Sequence, residues 1–173
     1  MASFKMTQGV SRVPEDVFVE DGMTVTSGGL TVTAGGVTVT AGTTTLGGSF
    51  VRDLVTLTAT DAITQAEHAG RILLMGEVGG DAAATFTLPA ATGTGSEYKF
   101  IVSVVNTSNY VIQVTGDDTI DGSVVVTNDT TAGGTASLIS WPTVAATDTI
   151  TLNGTTQGGV QIGDYLLLTD IAT

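Results

Sequence analysis

The chain is 173 residues long, contains no cysteine, and sets seventeen acidic against five basic side chains for a formal net charge of −12. That balance argues against nucleic acid and against an anionic membrane surface as partners, because no basic patch is available to neutralise phosphates. The absence of thiols excludes disulfides, thiolate metal sites and a cysteine nucleophile. The acidic excess does not imply disorder, since 42% of residues are hydrophobic, and abundant Gly, Thr, Val and Ala point to many short strands and turns.

Residues 1–21 hold two of the five basic groups, Lys5 and Arg12, and Pro14 interrupts any regular element. Phe4, Met6, Val10, Val13, Val17, Phe18 and Val19 make this segment more apolar than a solvated tail. It reads either as a free terminus or as an extended arm that docks on a partner. In the second reading Phe4, Met6, Val17 and Phe18 are apolar anchors, and Lys5 and Arg12 complement an acidic surface. The opening residues 1–8 lack the apolar run of a signal peptide, so the protein is expected to be made and used without secretion, or to leave the cell as part of something larger.

A seven-residue repeat follows. Gly22-Met23-Thr24-Val25-Thr26-Ser27-Gly28 precedes Gly29-Leu30-Thr31-Val32-Thr33-Ala34-Gly35 and Gly36-Val37-Thr38-Val39-Thr40-Ala41-Gly42, and 43–49 is a degenerate copy. Glycine pairs with β-branched Thr and Val are wrong for a helical heptad, and alternating faces closed by glycine turns are right for a β repeat. Burying Met23, Val25, Leu30, Val32, Val37, Val39 and Leu46 would contribute about 10–20 kcal/mol. Ordering the backbone costs about 1–2 kcal/mol per residue, which over this segment exceeds that gain. Two readings remain: a meander packed on its own chain, or an oligomerisation stem in which identical chains share the apolar stripes. The energy comparison favours the stem, read as threefold and β-prism or β-spiral like.

Residues 50–173 lose this period. Strands are predicted at 53–58, 71–75, 85–88, 98–105, 110–115, 123–127, 136–141, 148–152 and 165–169, with one or two helical turns around 61–68. Their spacing predicts an antiparallel β-sandwich or jelly-roll-like domain. The continuous apolar runs at 72–75 and 165–168 are predicted to lie centrally in their sheets. The overall expectation is an all-β chain of arm (1–21), stem (22–49) and sandwich head (50–173).

Chemistry-bearing patterns are sparse. His68, the sole histidine, follows Glu67, but no nucleophile elbow accompanies the pair and a structural or solvent-exposed histidine is favoured. Asp117, Thr119 and Asp121, with Gly122, match the opening of a calcium loop. The twelfth position is Asn128 rather than a bidentate Glu, so a plain acidic turn is favoured and calcium is a minor option. Trp141, before Pro142, reads as a core or rim residue ahead of a ligand platform. Neither a cofactor nor an enzymatic activity is expected.

Three stretches carry a resemblance: 63–71 (Ile63-Thr64-Gln65-Ala66-Glu67-His68-Ala69-Gly70-Arg71), 87–95 (Thr87-Leu88-Pro89-Ala90-Ala91-Thr92-Gly93-Thr94-Gly95) and Gly163-Asp164-Tyr165 with its apolar run. Together with the Gly-Leu-Thr-Val repeats they resemble virion structural proteins of tailed phages, both trimeric head decoration (cement) proteins and fibre segments. The resemblance implies a homotrimer on a virus particle. The short chain favours a decoration protein that contacts the major capsid protein on the capsid surface after synthesis in the bacterial cytoplasm. A short fibre or adhesin binding a host glycan, through Trp141 or Tyr110, is the alternative.

Overall fold

The computed structural model describes residues 47–77, 82–128 and 137–171. Apart from Gly47, these belong to one compact unit that begins at Gly48. The expected docking residues Phe4, Lys5, Met6, Arg12, Val17 and Phe18, and the expected stem residues Met23, Val25, Leu30, Val32, Val37, Val39 and Leu46, lie outside the described residues.

The elements in chain order are β1 (Leu54–Leu57), β2 (Asp61–Ala62), α1 (Gln65–His68), β3 (Ile72–Met75), β4 (Ala84–Thr87) and β5 (Glu97–Val102). There follow β6 (Tyr110–Gln113), β7 (Ser123–Asn128), β8 (Ser137–Pro142), β9 (Thr149–Leu152) and β10 (Tyr165–Thr169). The fold is all-β, and α1 is a single turn.

The first sheet has the order β1-β3-β5-β10, the second β2-β4-β6-β9, and β7 and β8 form a separate hairpin. Successive strands from β1 to β6 therefore alternate between the two sheets, and the chain winds as three stacked coils. Each coil adds one strand to each sheet beside the strand of the coil before, so β1–β3, β3–β5, β2–β4 and β4–β6 all pair parallel. The chain then closes one side of the stack by reversing direction. β9 joins β6 and β10 joins β5, both antiparallel.

The expected antiparallel sandwich is thus corrected to two mixed sheets. A strand's apolar pattern reports which faces are buried and says nothing about the direction of its neighbour. The crossovers that parallel pairing requires are here strands of the opposite sheet, which resemble hairpin partners in a sequence. The run at 72–75 is central, as expected, in β3 between β1 and β5. The run at 165–168 is not: β10 is an edge strand.

The inner faces of both sheets share one core. Leu73, Met75, Phe100 and Val102 of the first sheet and Ala84, Phe86 and Ile112 of the second are fully buried. Phe86 stacks on Phe100 across the sheets and on Tyr110 within its own sheet, each pair of ring centroids 5.9 Å apart. The Tyr110 hydroxyl accepts from the Glu77 N–H at 3.1 Å and donates toward the Val104 carbonyl at 2.9 Å. A phenol at the edge of an apolar core thereby satisfies backbone groups that would otherwise be orphaned.

Candidate functional site: an acid-rimmed groove

A groove of about 530 Å³ opens where β4 and β6 end and β5 begins. Leu88, Tyr98 and Leu168 contribute apolar walls, and Asp117, Asp118 and Asp170 line it with carboxylates. Asp118 and Asp170 tie the rim together. Asp118 Oδ2 accepts from the Ala91 N–H at 2.9 Å, tying the turn after β6 to the loop after β4.

Asp170 does the same more extensively. Its Oδ1 accepts from the N–H groups of Thr92 (2.9 Å) and Gly93 (3.0 Å). Its Oδ2 accepts from the Thr94 N–H (3.2 Å) and from the hydroxyls of Thr92 (3.0 Å) and Thr94 (2.7 Å). Three successive backbone N–H groups converge as in an anion-binding nest, and the chain fills the nest with its own carboxylate. The backbone repeats the connection, since Asp170 N–H donates to Ser96 O and Gly95 N–H to Asp170 O. The Thr94 hydroxyl first, then the Gly93 N–H, hold the Asp170 carboxyl far below the usual carboxylate range.

The sign of the pH effect follows. A carboxyl whose pKa is depressed by folding stabilises the fold at every pH above its unfolded value near 4. That contribution is lost as pH falls below about 4 toward the folded-state value. Asp170→Asn is therefore expected to unfold at lower denaturant than the parent at pH 7, with the gap narrowing as pH is lowered from 4 to 2. Urea unfolding midpoints at both ends of that range check it, and a gap independent of pH would contradict the role given to the charge.

The other expected site residues are placed as follows. His68 is buried at the end of α1, and its Nδ1 accepts from the Thr64 N–H at 3.0 Å. The ring proton consequently sits on Nε2, which faces Asp61 Oδ2 at 4.0 Å. Thr64 is the N-cap: its hydroxyl accepts from the Glu67 N–H and lies 3.5 Å from the Glu67 carboxylate, while His68 Nδ1 takes the Thr64 N–H that a capping-box glutamate would otherwise accept. A hydroxyl, an imidazole and a carboxylate are in sequence here, but each is engaged in closing the helical turn. Thr64→Ala is expected to cost about 1 kcal/mol in chemical unfolding, the usual worth of an N-cap.

Thr119 and Asp121 do not reach out as a ligand pair, because the Thr119 hydroxyl donates to Asp121 Oδ2 at 2.9 Å. Among the described residues no three acidic or histidine groups converge as a metal site. Trp141 pairs with Val124 in the β7–β8 hairpin. Tyr110, expected as a possible glycan contact, is 1% exposed and belongs to the core. The sequence reading missed Asp170 altogether. Its signal was the small, hydroxyl-rich loop Thr92-Gly93-Thr94-Gly95, which supplies donors but gives no hint of which acid they hold.

The class defined by these observations is an all-β domain of two mixed sheets wound as stacked coils, with an acid-rimmed groove at one end. Comparison with protein-family models, with curated proteins and with solved structures finds no match to this chain.

Proposed function

We propose that this chain is a structural protein of a phage particle with no enzymatic activity, a homotrimeric decoration protein that cements the capsid. The carrying observation is that the polar side chains of the β-domain best suited to chemistry are turned onto its own backbone. Asp170 is held by the 92–94 loop, His68 by the Thr64 N–H, and the Tyr110 hydroxyl by Glu77 and Val104. A domain that uses its acids, histidine and phenol as internal ties is suited to withstand load. In this reading residues 1–21 dock on the major capsid protein, the repeats in 22–49 join three chains, and residues 50–173 project outward. Three weak docking contacts then act together through avidity. The net charge of −12 keeps decorated particles apart.

The resemblance of 63–71, 87–95 and the Gly-Leu-Thr-Val repeats to phage virion proteins supports the same assignment. The groove favours a second reading, a fibre or adhesin that receives a host glycan between Asp117 and Asp170. Binding of the full chain to intact, undecorated capsids separates them. The cement reading expects saturable binding, lost when Lys5 and Arg12 are both reversed to Glu while the oligomer persists. Undiminished binding by that variant would remove the docking role of the arm. Glycan binding by the full chain, without capsid binding, would establish the second reading instead.

A further inference from the structure

The two sheets differ on their outward faces. In the second sheet one outward row is Thr85–Val111–Thr151 and the next is Thr87–Gln113–Thr149, a mostly polar surface with Val111 its apolar member. In the first sheet one register row is Leu54–Ile72–Lys99–Leu167 and the next is Thr56–Leu74–Ile101–Tyr165. Alternation sends these side chains away from the core, which instead receives Val55, Leu73, Phe100 and Leu166 from the row between. Leu54, Tyr165 and Leu167 are 63%, 66% and 47% exposed. An apolar face of this kind marks an interaction surface.

We propose that this outward face of the first sheet is where copies of the chain meet. The proposal rests on the homo-oligomer reading above and adds a second contact to the one assigned to the repeats. Charge selects the occupant. The chain carries −12, so identical copies repel across most of their surface. Here the charges are Arg52, paired with Glu97 at 3.1 Å, and Lys99, whose ammonium lies 4.8 Å from the Tyr165 ring centre. Two cations and one anion leave this face without the repulsive excess, and Lys99 of one copy can meet Glu97 of the next.

The face is small. Four strands about 4.8 Å apart and four residues of about 3.3 Å make a face of roughly 19 by 13 Å. That is well below the ~800 Å² per partner of a stable interface, so the face is one part of the contact between copies and not the whole of it. Phe50 and Val51, just before the sheet in the sequence, are exposed apolar residues as well. Three faces about 19 Å wide around a threefold axis stand about 5.5 Å from it, half the ~10 Å at which sheets pack face to face. The interior of such a prism is filled by side chains of the size present here.

The cysteine-free chain allows a direct test. Leu167→Cys and, as a control on the other sheet, Thr151→Cys are each introduced into the full chain and spin-labelled, and dipolar coupling between copies is measured. Tyr165→Cys repeats the first measurement one row away, in case the Leu167 variant folds poorly. The expected result is an oligomeric mass, with inter-copy distances at 165 and 167 clearly shorter than at 151. A monomeric mass would overturn both this proposal and the oligomer reading. An oligomer whose labels at 165 and 167 are no closer than at 151 would overturn this proposal alone, leaving association to the repeats. Immobilised labels at 165 and 167 without inter-copy coupling would likewise overturn it and assign the face to another occupant.

Discussion

Phe86→Ala is expected to destabilise the β-domain by about 3–5 kcal/mol, a large part of the total stability of a single domain. Phe86 contacts aromatic partners in both sheets, Phe100 opposite and Tyr110 alongside. Its removal deletes the apolar area of a fully buried side chain and leaves a cavity that the flanking strands cannot close. Those strands are fixed on both sides: β4 pairs with β2 and β6 in a continuous register. The two stacking contacts add about 0.5–1.5 kcal/mol each beyond area burial. A fall in the urea midpoint with an unchanged slope is the expected observation. A midpoint within error of the parent would mean that the two sheets do not depend on a common core. Phe50→Ala provides the contrast, because Phe50 is 69% exposed and lies outside that core.

Much of the strand content of this domain was legible in the sequence, and its topology was not. Stretches such as Tyr110-Val111-Ile112-Gln113-Val114-Thr115 announce themselves by aromatic and β-branched composition, with alternation only in the second half. The pairing Leu73↔Phe100 or Phe86↔Ile112 is a long-range choice that no local pattern encodes. The apolar run Leu166-Leu167-Leu168 illustrates the limit. It reads as a strand buried on both faces, yet β10 is an edge strand with Leu166 and Leu168 against the core and Leu167 facing out. The run reported two apolar faces correctly, and only the position of the strand was misread. The site was less legible than the fold. His68 reads in the sequence as structural or solvent-exposed and is buried against Thr64, whereas Asp170 lies some eighty residues from the loop it closes, beyond the reach of any motif. β2, two residues long within a segment read as helical, escaped because so short a strand has no period to detect.

Gly154→Ala is expected to cost about 2–5 kcal/mol, the second large effect, although it adds one methyl group at a half-exposed loop position. Two costs combine. Gly154 has φ +65, where an L-residue pays about 1–2 kcal/mol. A Cβ there would also lie 2.5 Å from the Asn106 carbonyl oxygen and 2.8 Å from its carbon, and backbone atoms cannot rotate away. Neither side is free to yield. Asn153 Oδ1 accepts from the N–H groups of Thr155, Thr156 and Gln157, which fixes the loop carrying Gly154. Asn106 is fully buried, its Nδ2 donating to Ala82 O at 2.9 Å and its Oδ1 accepting from Ser108 N–H at 2.8 Å. Relief of the overlap therefore has to displace the β5–β6 connection from its hydrogen bonds, at the opposite end of the strands from the Asp170 latch. Gly116→Ala separates the two costs. Gly116 has φ +67 but open space around its Cβ position, so it should lose only the conformational part, about 1–2 kcal/mol. Unfolding midpoints of the two variants measured side by side give the overlap by difference. Equal losses would show that the loop accommodates the methyl group and that the packing of Asn106 against Gly154 does not hold the coils together at that end.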